Sequence, residues 1–147
     1  MMKARGVQMA LARSNTGFTR WRCIGLGFVI LWFLIGGVAH FVATDLEMRI
    51  VPDYIARPRL AVFASGVFEL LGAAGLFIRS CRRAAGIGLF ALTMAVTPAN
   101  VYMLQHAERF GVPHWILVLR LPVQVALLAL IAWTAILPGR PAPGTRT

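Results

Sequence analysis

His40, Ser65, Glu69, Asn100, Arg120 and Gln124 are the side chains of this sequence whose types could do chemistry in an apolar setting, because each interrupts a long hydrophobic stretch. An imidazole, a hydroxyl, a carboxyl group, a guanidinium and two amides offer hydrogen-bond donors and acceptors to a small polar ligand, and groups able to exchange protons. Pro98 and Pro122 interrupt the same stretches. Pro122 stands in LRLPVQ (residues 119–124), between Arg120 and Gln124.

The surrounding stretches are apolar runs over residues 23–43, 60–78, 84–104 and 115–137. Each is close to the roughly 20 residues that a helix needs to cross a hydrocarbon core. The 147-residue chain is 59% hydrophobic and only 14% charged, with a mean hydropathy of +0.73, which is the balance of a membrane protein. Helices are expected because lipid offers no partner to an unpaired backbone group. The sequence therefore predicts an all-α membrane protein, a four-transmembrane-helix bundle in one domain (23–137). A basic tail (1–22) precedes it and a second tail (138–147) follows.

The net charge of +10 invites a nucleic-acid reading, which its distribution opposes. Lys3, Arg5, Arg13, Arg20, Arg22, Arg79, Arg82, Arg83, Arg140 and Arg146 all fall on one side of the predicted bundle. Arg49, Arg57, Arg59 and Arg109 fall on the other, offset by Asp45, Glu47, Asp53 and Glu108. The positive-inside rule then places both termini in the cytoplasm, so the basic excess signals topology and attraction to anionic lipid heads, with no nucleic-acid partner. The first apolar run is too long for a signal-peptide core and reads as a retained signal anchor, with Met9 as an alternative start. Cys23 and Cys81 form no CxxC or haem-attachment motif and read as inert, though both lie near the cytoplasmic face and could be neighbours.

Alternating helix directions and a rise of about 1.5 Å per residue put His40, Ser65, Asn100 and Arg120 roughly 5 to 8 Å below the outer helix ends, and Glu69 and Gln124 roughly 13 to 15 Å below. Helical phase groups Ala61, Ser65, Glu69 and Gly72 on one face, Thr93, Thr97 and Asn100 on another, Gly36 with His40, and Arg120 with Gln124. Such faces belong against other helices. An ionisable group near a helix centre costs roughly 2.5 to 3.5 kcal/mol on insertion scales, so Glu69 is expected to pair with Arg120, directly or through Gln124 or water. Pro98 and Pro122 cannot bond the carbonyls of Met94 and Val118, which predicts helix kinks around a polar, hydrated cavity. Simpler roles stay open: Arg120 is within snorkelling reach of the interface, His40 could be structural, and Asn100 and Gln124 could be interhelical glue worth about 0.6 kcal/mol each.

GGVAHF (36–41), IVPDY (50–54), SGVFELLGAAGLF (65–77), TPANVYM (97–103) and LRLPVQ together resemble the DoxX-like family of small bacterial four-helix integral membrane proteins, over about residues 22–137. The positions that match its motifs are His40, Pro52, Glu69, Pro98, Asn100, Arg120, Pro122 and Gln124. The resemblance implies a bundle of the bacterial inner membrane and an accessory role in a quinone-linked redox complex, with no catalytic residue to carry over. The polar cluster in the outer half of the bundle is expected to hold a quinone head group or a similar small polar ligand. No metal, haem or nucleotide motif is present, so a partner redox enzyme is expected to supply the electron-carrying centre. A non-catalytic scaffold or assembly factor, a homo-oligomer and a small permease remain alternatives.

Overall fold

The structure is a computed structural model that describes the backbone of residues 2–137 and the side chains of residues 20–137. The C-terminal tail and the side chains of Lys3, Arg5 and Arg13 lie outside the described residues. All regular structure among the described residues is helical. Helix α1 (Met2–Val42) extends back through the segment read from sequence as a tail, which contains no proline to stop it. After α1 come the short α2 (Thr44–Arg49), α3 (Pro58–Phe77), α4 (Arg82–Ala95), α5 (Thr97–Gln105), a 3-10 turn (Ala107–Arg109), α6 (His114–Ile131) and a π-helical turn (Ala132–Ile136).

Four helical segments are long and apolar enough to cross a membrane: Arg20–Val42, Pro58–Phe77, Arg82–Gln105 and His114–Ile136. Their alternating direction gathers Arg20, Arg22, Arg79, Arg82 and Arg83 at one end of the bundle, here the basic end. The longer connections, Ala43–Arg57 and His106–Pro113, form a cap at the other. Around the bundle α1 packs on α3, α3 on α4, α4 on α6 and α6 on α1. Helices α3 and α6 therefore face each other across the diagonal.

The two halves are built differently. Toward the basic end Val29, Ile30 and Phe33 of α1 interlock with Ala73 and Leu76 of α3, Leu89 of α4, and Leu127, Ile131 and Ala135 of the last span. Van der Waals packing of this kind holds helices together where no hydrophobic drive exists between them. Nearer the cap, α1 and α3 approach through glycine. A Cβ on Gly66 would meet His40 Cβ at 2.8 Å and the Gly37 carbonyl at 3.1 Å, so the helix backbones nearly touch there.

The third span is broken. α4 stops at Ala95, Val96 links it to α5, and Pro98 lies in the first turn of α5. The amides of Ala99 and Asn100 both turn to the Val96 carbonyl, at 3.1 and 3.3 Å. Pro122 by contrast lies inside a continuous α6, so of the two prolines at which kinks are expected Pro98 is the one that stands at a break between helices. A single proline removes one backbone bond without ending a helix.

Gly66→Val should force α1 and α3 apart and lower stability by about 1–3 kcal/mol, the usual cost of overpacking. Thermal unfolding in detergent measures it, and an unchanged midpoint would contradict the close crossing.

Candidate functional site

Between the apolar core and the cap lies a cavity of about 670 Å³, and His40, Ser65, Glu69, Asn100, Arg120 and Gln124 all line it. Helical phase put each on an inward face, and the bundle brings those faces to one space. The cap closes part of the wall with Glu47, Ile50, Val51, Pro52, Tyr54 and Ile55. Ile35, Ala95, Pro98 and Val123 also line it and are exposed, so the cavity opens between spans at apolar residues.

Gln124 is the most tightly held of the polar groups, with 8% of its surface exposed. Its Nε2 donates to the Thr93 carbonyl at 2.8 Å and to Thr97 Oγ1 at 2.6 Å, and its Oε1 accepts from Asn100 Nδ2. These partners flank the break in the third span. Gln124 therefore bridges α6 to both halves of that span and occupies a carbonyl next to the backbone bonds that Pro98 removes. Both of its polar atoms are committed inside the protein, so its role is to hold the wall.

Glu69 does not pair with Arg120. Its Oε1 lies 3.4 Å from His40 Nε2, with the two side chains 14% and 16% exposed. The reason is placement, since Glu69 sits in the α1–α3 seam while Arg120 is on the helix diagonal to α3. Gly36 makes room for the carboxylate: a Cβ there would stand 2.7 Å from Glu69 Oε2. Nor can Gln124 link Glu69 to Arg120, because its amide is already engaged.

Arg120 Nη1 donates to the Met103 sulfur, a weak acceptor for a guanidinium, and the side chain is exposed. Among the described residues no carboxylate lies within ion-pair distance of it. The Ser65 hydroxyl has no hydrogen-bond partner among the described residues. Arg120 and Ser65 are thus the donors with capacity left for a ligand. Asn100, through its bond to Gln124, belongs mainly to the wall.

A clasp over the cap was not foreseen from the sequence. Tyr102 donates to Asp53 Oδ2 at 3.0 Å and accepts from Arg109 Nη1 at 3.0 Å, while Arg109 lies 3.7 Å from the same Asp53 oxygen. It ties the first connection to the second. The opposite charges in the two loops were visible, but nothing in their spacing marked them as partners. Among the described residues no group of His, Cys, Asp and Glu is arranged to hold a metal ion. Cys23 and Cys81 are free and exposed.

Fold and site together define a multi-pass, helical membrane protein with a mainly apolar cavity that carries a set of polar side chains inside its bundle. The chain belongs to the family described as a domain of unknown function, DUF8561, whose model matches residues 29–137 and so takes in the whole cavity lining. No curated protein and no solved structure matches it.

Gln124→Leu should cost about 1–3 kcal/mol, because the Thr93 carbonyl, the Thr97 hydroxyl and the Asn100 amide each lose a hydrogen bond to a buried side chain. Arg120→Met should cost clearly less. Unfolding of the two variants in lipid nanodiscs tests the order, and a reversed ranking would reassign which residue holds the wall.

Proposed function

We propose that this chain is a DoxX-like protein of a bacterial inner membrane, with both termini in the cytoplasm. On this reading it is an accessory subunit of a quinone-linked redox complex, and its cavity takes the quinone head group. The observation that carries the reading is a mainly apolar cavity, lined also by the Arg120 and Ser65 donors and open through exposed apolar residues of the spans. A quinone has the matching form, a flat head with two carbonyl acceptors and a tail that belongs in hydrocarbon. Arg120 and Ser65 supply donors for the carbonyls, and the His40–Glu69 pair lies in the same wall to exchange the proton that a reduced carbonyl oxygen takes up. None of these side chains carries electrons, so a partner enzyme does. The arginines at the basic end support the cytoplasmic placement of that end.

A short-tailed quinone added to the protein in nanodiscs should raise the unfolding temperature saturably. Arg120→Gln and Ser65→Ala should each weaken binding by about tenfold, the equivalent of one lost hydrogen bond of about 1.4 kcal/mol. Absence of any shift overturns the quinone reading. The second reading is a scaffold or assembly factor, favoured by the Gln124 network, whose groups are all satisfied within the protein. It would be supported if Glu69→Gln stayed folded, bound no quinone and lost a co-purifying partner.

Cys81 lies exposed in the turn between α3 and α4 and reports the sidedness. With Cys23 replaced by Ser, a membrane-impermeant maleimide should label Cys81 only after the membrane is opened. Labelling in intact spheroplasts would reverse the topology.

A further inference from the structure

The imidazole of His40 stands between two carboxylates from different parts of the fold. Nε2 faces Glu69 Oε1 at 3.4 Å, deep in the α1–α3 seam. Nδ1 faces Glu47 Oε2 at 3.9 Å, and Glu47 belongs to α2 in the cap, with 27% of its side chain exposed. The Nδ1 atom is itself buried and has no hydrogen-bond partner. Buried polar atoms are rarely left this way, and such an atom calls for an explanation. A side-chain rotation of Glu47 would close the remaining gap. All three residues line the cavity.

We propose that Glu47, His40 and Glu69 form a proton relay that connects the cap surface to the cavity. Glu47 takes a proton from bulk water at the cap and passes it to Nδ1, while Nε2 releases its own proton to the Glu69 carboxylate. One N–H bond forms as another breaks, and the imidazole is neutral before and after with its tautomer exchanged. Glu47 returns to carboxylate and Glu69 becomes the acid. Transfer in the opposite direction restores the starting tautomer. No electrons move.

The arrangement suits a relay better than an ion site. The two carboxylates face opposite ring nitrogens and cannot converge on one cation, in keeping with the lack of any metal-holding group among the described residues. The other charged group on the cavity wall, Arg120, comes from α6, and no carboxylate among the described residues neutralises it. Glu69 therefore gains a proton on the side from which a ligand held by Arg120 would take it. Only this destination rests on the quinone reading; the relay is a property of three side chains of the ligand-free protein.

The chain has three histidines, so 15N-histidine labelling gives a simple spectrum in which the His40 signals are those lost in His40→Asn. Exchange of the His40 ring proton with water, read by magnetisation transfer in nanodiscs without quinone, should slow at least tenfold in Glu47→Gln, whose amide cannot pass a proton on. Glu47→Asp, which keeps a carboxyl group, should give an intermediate rate. Unchanged exchange in a Glu47→Gln protein that unfolds like the wild type overturns the relay, since protons would then arrive by another path. If Glu47→Gln also lowers the unfolding temperature, equal rates in Glu47→Asp and Glu47→Gln overturn it. Slowed exchange in a protein that binds no quinone upholds the relay and removes the quinone reading alone.

Discussion

A carbonyl that loses its helical partner inside a membrane has no water to turn to, and the third span of this chain is built around that constraint. Pro98 ends the regular hydrogen-bond ladder of the third span and splits it into α4 and α5. Gln124, reaching across from α6, takes the Thr93 carbonyl and Thr97 hydroxyl and is steadied by Asn100. The bend can exist because that one amide has two donors and an acceptor to give. Without it the wall of the cavity would be left with bare polar groups facing hydrocarbon.

The same constraint divides the molecule. In the basic half apolar packing fills most of the space between helices, and the buried Thr134 hydroxyl is satisfied within its own helix by the Leu130 carbonyl. In the half beneath the cap the helices carry groups that must meet one another, and glycine at 36, 37 and 66 lets α1 and α3 come close enough for His40 and Glu69 to do so. Polar groups that are used up in this way hold the wall. Those left over, Arg120 and Ser65, are the ones that can answer a ligand, and they share one cavity with an acid–imidazole pair. The Asp53–Tyr102–Arg109 clasp adds a lid that ties the two connections together.

The spans and the inward faces were legible because lipid imposes simple rules: a run long enough to cross, and polar residues at helical spacing turned away from acyl chains. Depth and phase alone gave the six polar residues on the cavity wall, though not the cap residues that share it. Pairing did not. Opposite charge suggested Glu69 with Arg120, but charge says nothing of which helices are neighbours, and α3 and α6 turned out to lie on a diagonal. GGVAH held the better clue, since a glycine one turn before His40 marks a close approach, and Glu69 sits against that glycine. The two prolines looked equivalent in sequence, yet only the one answered by Gln124 breaks its helix. The clasp depends on loop conformation, which carries no periodic signal, and so it could not be read in advance.

Through-space correlations in solid-state NMR of the protein in lipid bilayers read these bonds one by one. Contacts are expected from the Gln124 side-chain amide to the Thr93 carbonyl and from the His40 imidazole to the Glu69 carboxyl carbon. Loss of both contacts, with these side chains showing their strongest correlations to acyl-chain methylenes, would contradict these pairings.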